Sequence, residues 1–192
     1  MVTSRVDRPT IAESSSTGGL SSLQSSAFKL LFKALDRLEV WTDKTNLDLW
    51  LRNFDRCFEE LDSPSALMKT QAILRFLHED AKVTYHEYKS LGWALLKDEL
   101  LKHHRSPSAR EIYRYALQSI KIKSGETLLS YNRRFEDLRY CCRQVGLVED
   151  DDILVGYYLQ GIGENVNREV RKLEVNTLDA VKKLVLTWDQ AT

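Results

Sequence analysis

Glycine, proline and cysteine are scarce in this chain, with eight, three and three among 192 residues. So few turn-formers, beside abundant Leu, Glu, Lys and Arg, argue against a sandwich or barrel and for an all-α fold. The cysteines, Cys57, Cys141 and Cys142, are odd in number and lack framework spacing. That implies reduced thiols and an intracellular protein. Charge of one sign is not in excess: Lys plus Arg and Asp plus Glu are 28 each. A free-standing nucleic-acid-binding domain usually carries a basic surplus, so the folded part is not expected to take RNA or DNA as its main ligand. No apolar run approaches the roughly 20 residues of a membrane helix. The Ser-rich start lacks both the apolar centre of a secretory signal and a Met-Gly myristoylation site.

Catalytic patterns are also missing. There is no Gly-rich phosphate loop; the two glycines of Gly161 to Asn165 follow no strand and precede no Lys-Ser/Thr. His103 and His104 are adjacent, so on a helix they diverge, and no HExxH or Cys-His spacing accompanies them. Cys141 and Cys142 are vicinal rather than C-x-x-C, a pattern that suits a thiol packed in a core. Glu149 to Asp152 is an acidic run whose carboxylates point different ways; it reads as the dipole-complementing start of a helix rather than a metal site. No enzyme, metal or cofactor is expected.

What is present is helical periodicity. Residues 1 to about 24 hold too few large apolar groups to order themselves, and Ala27 to Leu38 is expected as a short leading helix. Leu38 to Trp41 reads as extended, and Asn46 caps a helix with Leu47, Trp50, Leu51, Phe54, Phe58 and Leu61 on one face. Ser63-Pro64 opens the next, with Leu67, Ile73, Leu74 and Leu77. Glu79 to Tyr88 follows with Ala81, Val83, Tyr85 and Tyr88; then a helix from Ser90 turns Trp93, Leu96 and Leu100 inward. His103 to Arg105 place cations at its end. Ser106-Pro107 starts a helix with Ile112, Tyr115 or Ala116, and Ile120 inward.

Ser124-Gly125 marks a break before a long helix that ends at Gly146, with Leu128, Tyr131, Phe135 and Leu138 at spacings of three, four and three. Ile153, Leu154, Tyr157, Tyr158 and Leu159 mark the next helix, ending at Gly161; Val166, Val170 and Leu173 mark another. Thr177 caps the last, with Leu178, Val181, Leu184, Val185 and Trp188 inward. The expected core therefore includes Trp50, Phe54, Trp93, Leu138 and Trp188. Nine or ten short helices are expected: 1–37 is a flexible segment with a leading helix, and the rest fall in two groups, 38–121 a first lobe and 122–192 a second.

The stretch after the break has a second pattern. Glu126 is followed by Leu128, Tyr131, Arg134 and Phe135. It resembles the major homology region of retroviral and retrotransposon Gag capsids: Gln, Gly, two residues, Glu, an aromatic two later, then Tyr-x-x-Arg-Phe. The match is partial, since Ile122 and Lys123 stand at the Gln and Gly positions and Leu128 at the aromatic one. Trp50-Leu51 with Phe54 resembles the WL-x-x-F of gypsy-class retrotransposon Gag. Trp93, Leu96 and Leu100 resemble its next apolar triplet, and Tyr158 to Ile162 its F-L-x-G-L. Ala81 and Tyr85 stand one residue further apart than the family's A-x-x-W. The resemblance spans about residues 38–190.

It implies a capsid protein of two helical lobes joined by a mobile linker. Its copies would build hexamers and pentamers, with a dimer of the C-terminal lobe, into virus-like particles around retrotransposon RNA in the cytoplasm. Glu126 and Arg134 would tie the opening turn to the helix, while Tyr131 and Phe135 fill its core. The zinc knuckle common in such proteins does not occur here, so genomic RNA is expected to be held by a region not in this chain; no membrane partner is implied. The alternatives are a host-domesticated, Gag-derived adaptor that binds a partner peptide in a groove, an unrelated helical scaffold, and an enzyme pairing Cys141 or Cys142 with His103 or His104.

Overall fold

The computed structural model describes residues 18–42, 46–59, 61 and 65–190. Among them the chain forms ten α-helices and no strand, an all-α fold. None of these helices is long and apolar enough to cross a membrane.

The first helix, α1, runs Gly18–Leu35, so residues 18–24 are helical where the sequence predicts disorder; residues 1–17 lie outside the described residues. The Ser-rich composition hides Leu20, Leu23, Ala27, Leu31 and Leu35, a helical repeat. Leu31 and Leu35 are buried and anchor α1, whereas Phe28 and Phe32 are exposed.

Asn46 caps α2 (Leu47–Arg56), its side chain accepting from the Leu49 N–H at 3.0 Å. Phe54 is the centre of an aromatic cluster, with ring centroids 5.8 Å from Trp50, 5.1 Å from Phe58 and 5.2 Å from Trp93. The start of α3 (Ala66–Ile73) differs from the expected Ser63-Pro64, residues that are not described. Ser65 is the cap, accepting from the Met68 N–H at 3.1 Å. A 3-10 turn at Leu74–Phe76 leads to α4 (Glu79–Tyr88).

Another 3-10 turn, Lys89–Leu91, holds Ser90 outside α5 (Trp93–His104). Between them Gly92 adopts φ 87°, a region that strains any side-chain-bearing residue, so α5 starts three residues later than the sequence suggests. Trp50, Phe54 and Trp93 are buried, as expected; Leu67 and Val83 instead face solvent. Asp55 joins the elements, accepting from Lys69 (2.8 Å), Lys97 (3.2 Å) and the Trp93 indole (3.0 Å).

Helix α6 (Ala109–Gln118) corrects two expectations. Its inward face is Ala109, Tyr113 and Leu117, followed by Ile120, while Ile112 is 52 % and Tyr115 73 % exposed. That inward face packs on the later helices, not on α1 to α5. The buried apolar residues form two clusters, one from Leu31 to Leu100 and one from Ala109 to Val185. The boundary expected near residue 121 therefore falls within the second cluster; the packing changes between α5 and α6.

The second cluster is completed by α7 (Leu128–Gln144), α8 (Asp151–Ile162), α9 (Glu164–Arg171) and α10 (Leu178–Gln190). Leu138 and Trp188 are partly buried against it, and Leu173 is exposed. Asp151 of the acidic run accepts from the Leu178 N–H at 3.4 Å, joining α8 to α10.

Polar contacts join the two clusters. Arg56 of α2 reaches Asp137 of α7 at 2.8 Å, and Arg52 donates to the Glu136 carbonyl at 3.2 Å while lying 4.3 Å from the Tyr140 ring centroid. Asp48 accepts from Arg105 at 2.9 and 2.5 Å and from the Tyr113 hydroxyl at 2.7 Å.

Candidate assembly motif at the start of helix α7

The turn before α7 is built around one carboxylate. Glu126 accepts from the Lys123 backbone N–H at 2.8 Å and from both Nε and a terminal nitrogen of Arg134, at 2.9 and 2.7 Å. Two parallel N–H donors make the strong, orienting form of an Arg–carboxylate pair. Arg134 also donates to the Lys121 carbonyl at 2.7 Å. One guanidinium thereby closes residues 121–126 onto the second turn of α7. Thr127 caps that helix, accepting from the Ser130 N–H at 3.2 Å.

The adjoining face of α7 carries Leu128, Tyr131 and Phe135, all buried, with the Arg134 guanidinium 5.6 Å from the Tyr131 ring centroid. Tyr131 donates its hydroxyl to the Tyr158 carbonyl at 3.0 Å, so a phenol deep in the core keeps its hydrogen bond. Burial holds the Tyr131 and Tyr158 phenols protonated, well above their ordinary value. Tyr158 in turn donates to Asn132 at 2.5 Å and meets the Phe135 ring edge-on, centroids 5.3 Å apart.

The sequence expectation thus brings Glu126 to Arg134, and Tyr131 to Phe135, through one helix. It gives no role to Asn132 and does not join Tyr158 or Gly161 to this turn; these residues complete the arrangement from the same helix and from α8. The period-three and period-four pattern finds apolar neighbours along one helix and is silent on a partner 27 residues away. The Ile122 N–H donates to the Gly161 carbonyl at 2.9 Å, and Lys123 serves Glu126 through its own N–H.

Gly161 allows the close approach of α8. A Cβ there would stand 2.5 Å from the Ile120 carbonyl oxygen and collide with the Tyr131 hydroxyl. Gly161→Ala is therefore expected to destabilise by about 1–3 kcal/mol, the usual cost of overpacking. Urea unfolding measures it, and an unchanged midpoint would show that α8 does not approach so closely.

The Arg134 hydrogen bonds, then the Lys123 N–H, lower the Glu126 carboxyl to about 2. A carboxylate whose folded pKa lies below its unfolded value of about 4.3 stabilises the fold fully above that pH. The contribution is lost as pH falls through about 2. The melting temperature should carry this loss on its acid limb in the native protein, and Arg134→Ala should flatten it. Identical acid limbs in the two proteins would exclude the pair as its source.

The thiols and imidazoles are engaged separately. Cys141 and Cys142 are buried, and burial raises their thiols to about 12 and about 11, which suppresses the nucleophilic thiolate. Cys141 lies against the Asn46 side-chain amide at 3.7 Å. His103 faces Glu99 at 3.3 Å, and His104 faces the Thr84 hydroxyl at 2.9 Å.

Comparison with family models, with curated proteins and with solved structures finds no match to this chain.

Proposed function

We propose that the chain is a structural capsid protein of the gypsy-class Gag type, which assembles with copies of itself into shells around retrotransposon RNA inside the cell. The observation that carries this reading is the closed turn before α7. There Glu126 holds Arg134 through two donors, while Tyr131 and Phe135 fill the core behind it. These are the residues on which the family resemblance rests.

The role is architectural, with no catalysis and no cofactor. The motif makes the second cluster rigid, and assembly uses outer surfaces. Zero formal net charge lets like copies approach without strong repulsion. Large apolar side chains remain exposed on the second cluster, Tyr115 and Leu129 among them. Individually weak contacts of this kind add up in a lattice, and their angle decides between a ring and a curved shell.

Electron microscopy of the purified protein at rising salt and concentration tests the reading. Shells or tubes are the expected result, and Arg134→Ala should lower their yield. Only small species under every condition would replace the capsid with the peptide-binding adaptor. Unchanged yield and unchanged melting in Arg134→Ala would remove the motif from the argument.

A further inference from the structure

An open cleft of about 500 Å³ lies where the end of α1, helix α2 and helix α7 meet. Arg37, Arg56 and Arg133 line it, together with Asp137, Asn53 and Cys57. Its size suits a small ligand. Arg56 is held by Asp137 at 2.8 Å, and Arg52 approaches the same carboxylate at 3.5 Å. Asp137 is thus shared by two arginines of α2.

Arg37 and Arg133 are exposed, and their guanidiniums have no hydrogen-bond or ion-pair partner among the described residues. Three arginines thus line one cleft with one carboxylate among the lining residues, in a chain of zero net charge. The planar guanidinium fork matches the oxygens of a phosphate better than those of chloride or any neutral group. No aromatic ring lines the cleft, so it offers nothing for a nucleobase to stack on. Phosphate is what the lining can recognise.

We propose that this cleft binds phosphoryl groups, either of a free polyphosphate or of a phosphodiester backbone, through Arg37 and Arg133 with Arg56 as third donor. The three arginines come from the segment after α1, from α2 and from α7. A ligand bridging them ties the first cluster to the second, and binding raises the melting temperature. The inference is independent of the capsid reading, because it uses none of the residues of the turn before α7.

Calorimetric titration of the full chain at low ionic strength tests it. One arm uses sodium tripolyphosphate and the other a short oligouridylate. Arg37→Ala and Arg133→Ala remove no bond that the described fold uses, so both variants should melt at the wild-type temperature. Each should weaken tripolyphosphate binding about tenfold or more, the loss of a charge-assisted contact. Oligouridylate binding that falls in step identifies the phosphodiester as a ligand. Tripolyphosphate binding alone identifies a free polyphosphate. Binding of neither probe, or equal binding by the wild type and both variants, would overturn the proposal.

Discussion

Phe135→Ala should cost about 3–5 kcal/mol of unfolding free energy, the range for deleting a fully buried phenylalanine. Phe135 has no exposed surface. Its ring is met edge-on by Tyr158, lies 6.4 Å from the Tyr131 centroid, and has the Lys182 ammonium 5.8 Å above its centre. The surroundings cannot close over the void. Tyr158 is tied at its hydroxyl to Asn132 and at its carbonyl to Tyr131, so its ring is held at both ends. The cavity term therefore adds to the lost transfer energy. In guanidinium unfolding the midpoint should fall with the slope unchanged. Leu129→Ala on the same helix is the control: Leu129 is 69 % exposed, so its change should stay within about 0.5 kcal/mol. Equal effects at the two positions would mean that α7 presents a different face. If the capsid reading holds, the Phe135 variant should also lose particles, because the scaffold of the second cluster fails first.

Helix α7 was legible because its signals agree. Thr127 caps it, the apolar residues repeat on one face, and the charged residues occupy the rest, so local pattern and tertiary burial select the same side. In α6 they conflict. Ile112 and Tyr115 stand at helical spacing and look like a core face, yet the buried side is Ala109, Tyr113 and Leu117. Spacing alone is compatible with both faces. The choice depends on what Tyr113 meets, and its hydroxyl partner Asp48 lies 65 residues earlier in the chain. The same gap explains Arg105. At the end of α5 it reads as a cation answering the helix dipole, but it reaches across to Asp48. The Ser124-Gly125 break draws the expected boundary to the end of α6, whereas the packing changes at its start. The arginine cleft was hidden for a related reason: Arg37, Arg56 and Arg133 are far apart in sequence, and a balanced total charge conceals a local excess.

Asp48 is the second position where a large effect is expected. It is 2 % exposed, sits in the first turn of α2, and accepts from Arg105 and Tyr113, the residues on either side of the α5–α6 connection. Burial, then the hydrogen bond to Asp48, pushes the Tyr113 phenol far above its usual value, so it remains a donor. Asp48→Ala leaves the Arg105 guanidinium without its carboxylate, while the Tyr113 hydroxyl keeps only the Asn46 side-chain oxygen at 2.9 Å. Breaking one side of a buried pair costs about 3–5 kcal/mol, because the surviving charge keeps its desolvation penalty. Water reaches Arg105, whose side chain is 25 % exposed, so the lower end of that range is expected here. The penalty comes from the unpaired groups, not from the pair's net attraction. Asp48→Leu with Arg105→Met and Tyr113→Phe should therefore recover much of the stability that Asp48→Ala loses. Denaturant unfolding of the single and triple variants decides the matter. A triple variant no more stable than the single one would show that the three groups contribute net attraction. A single variant as stable as the wild type would show that Arg105 and Tyr113 do not depend on Asp48.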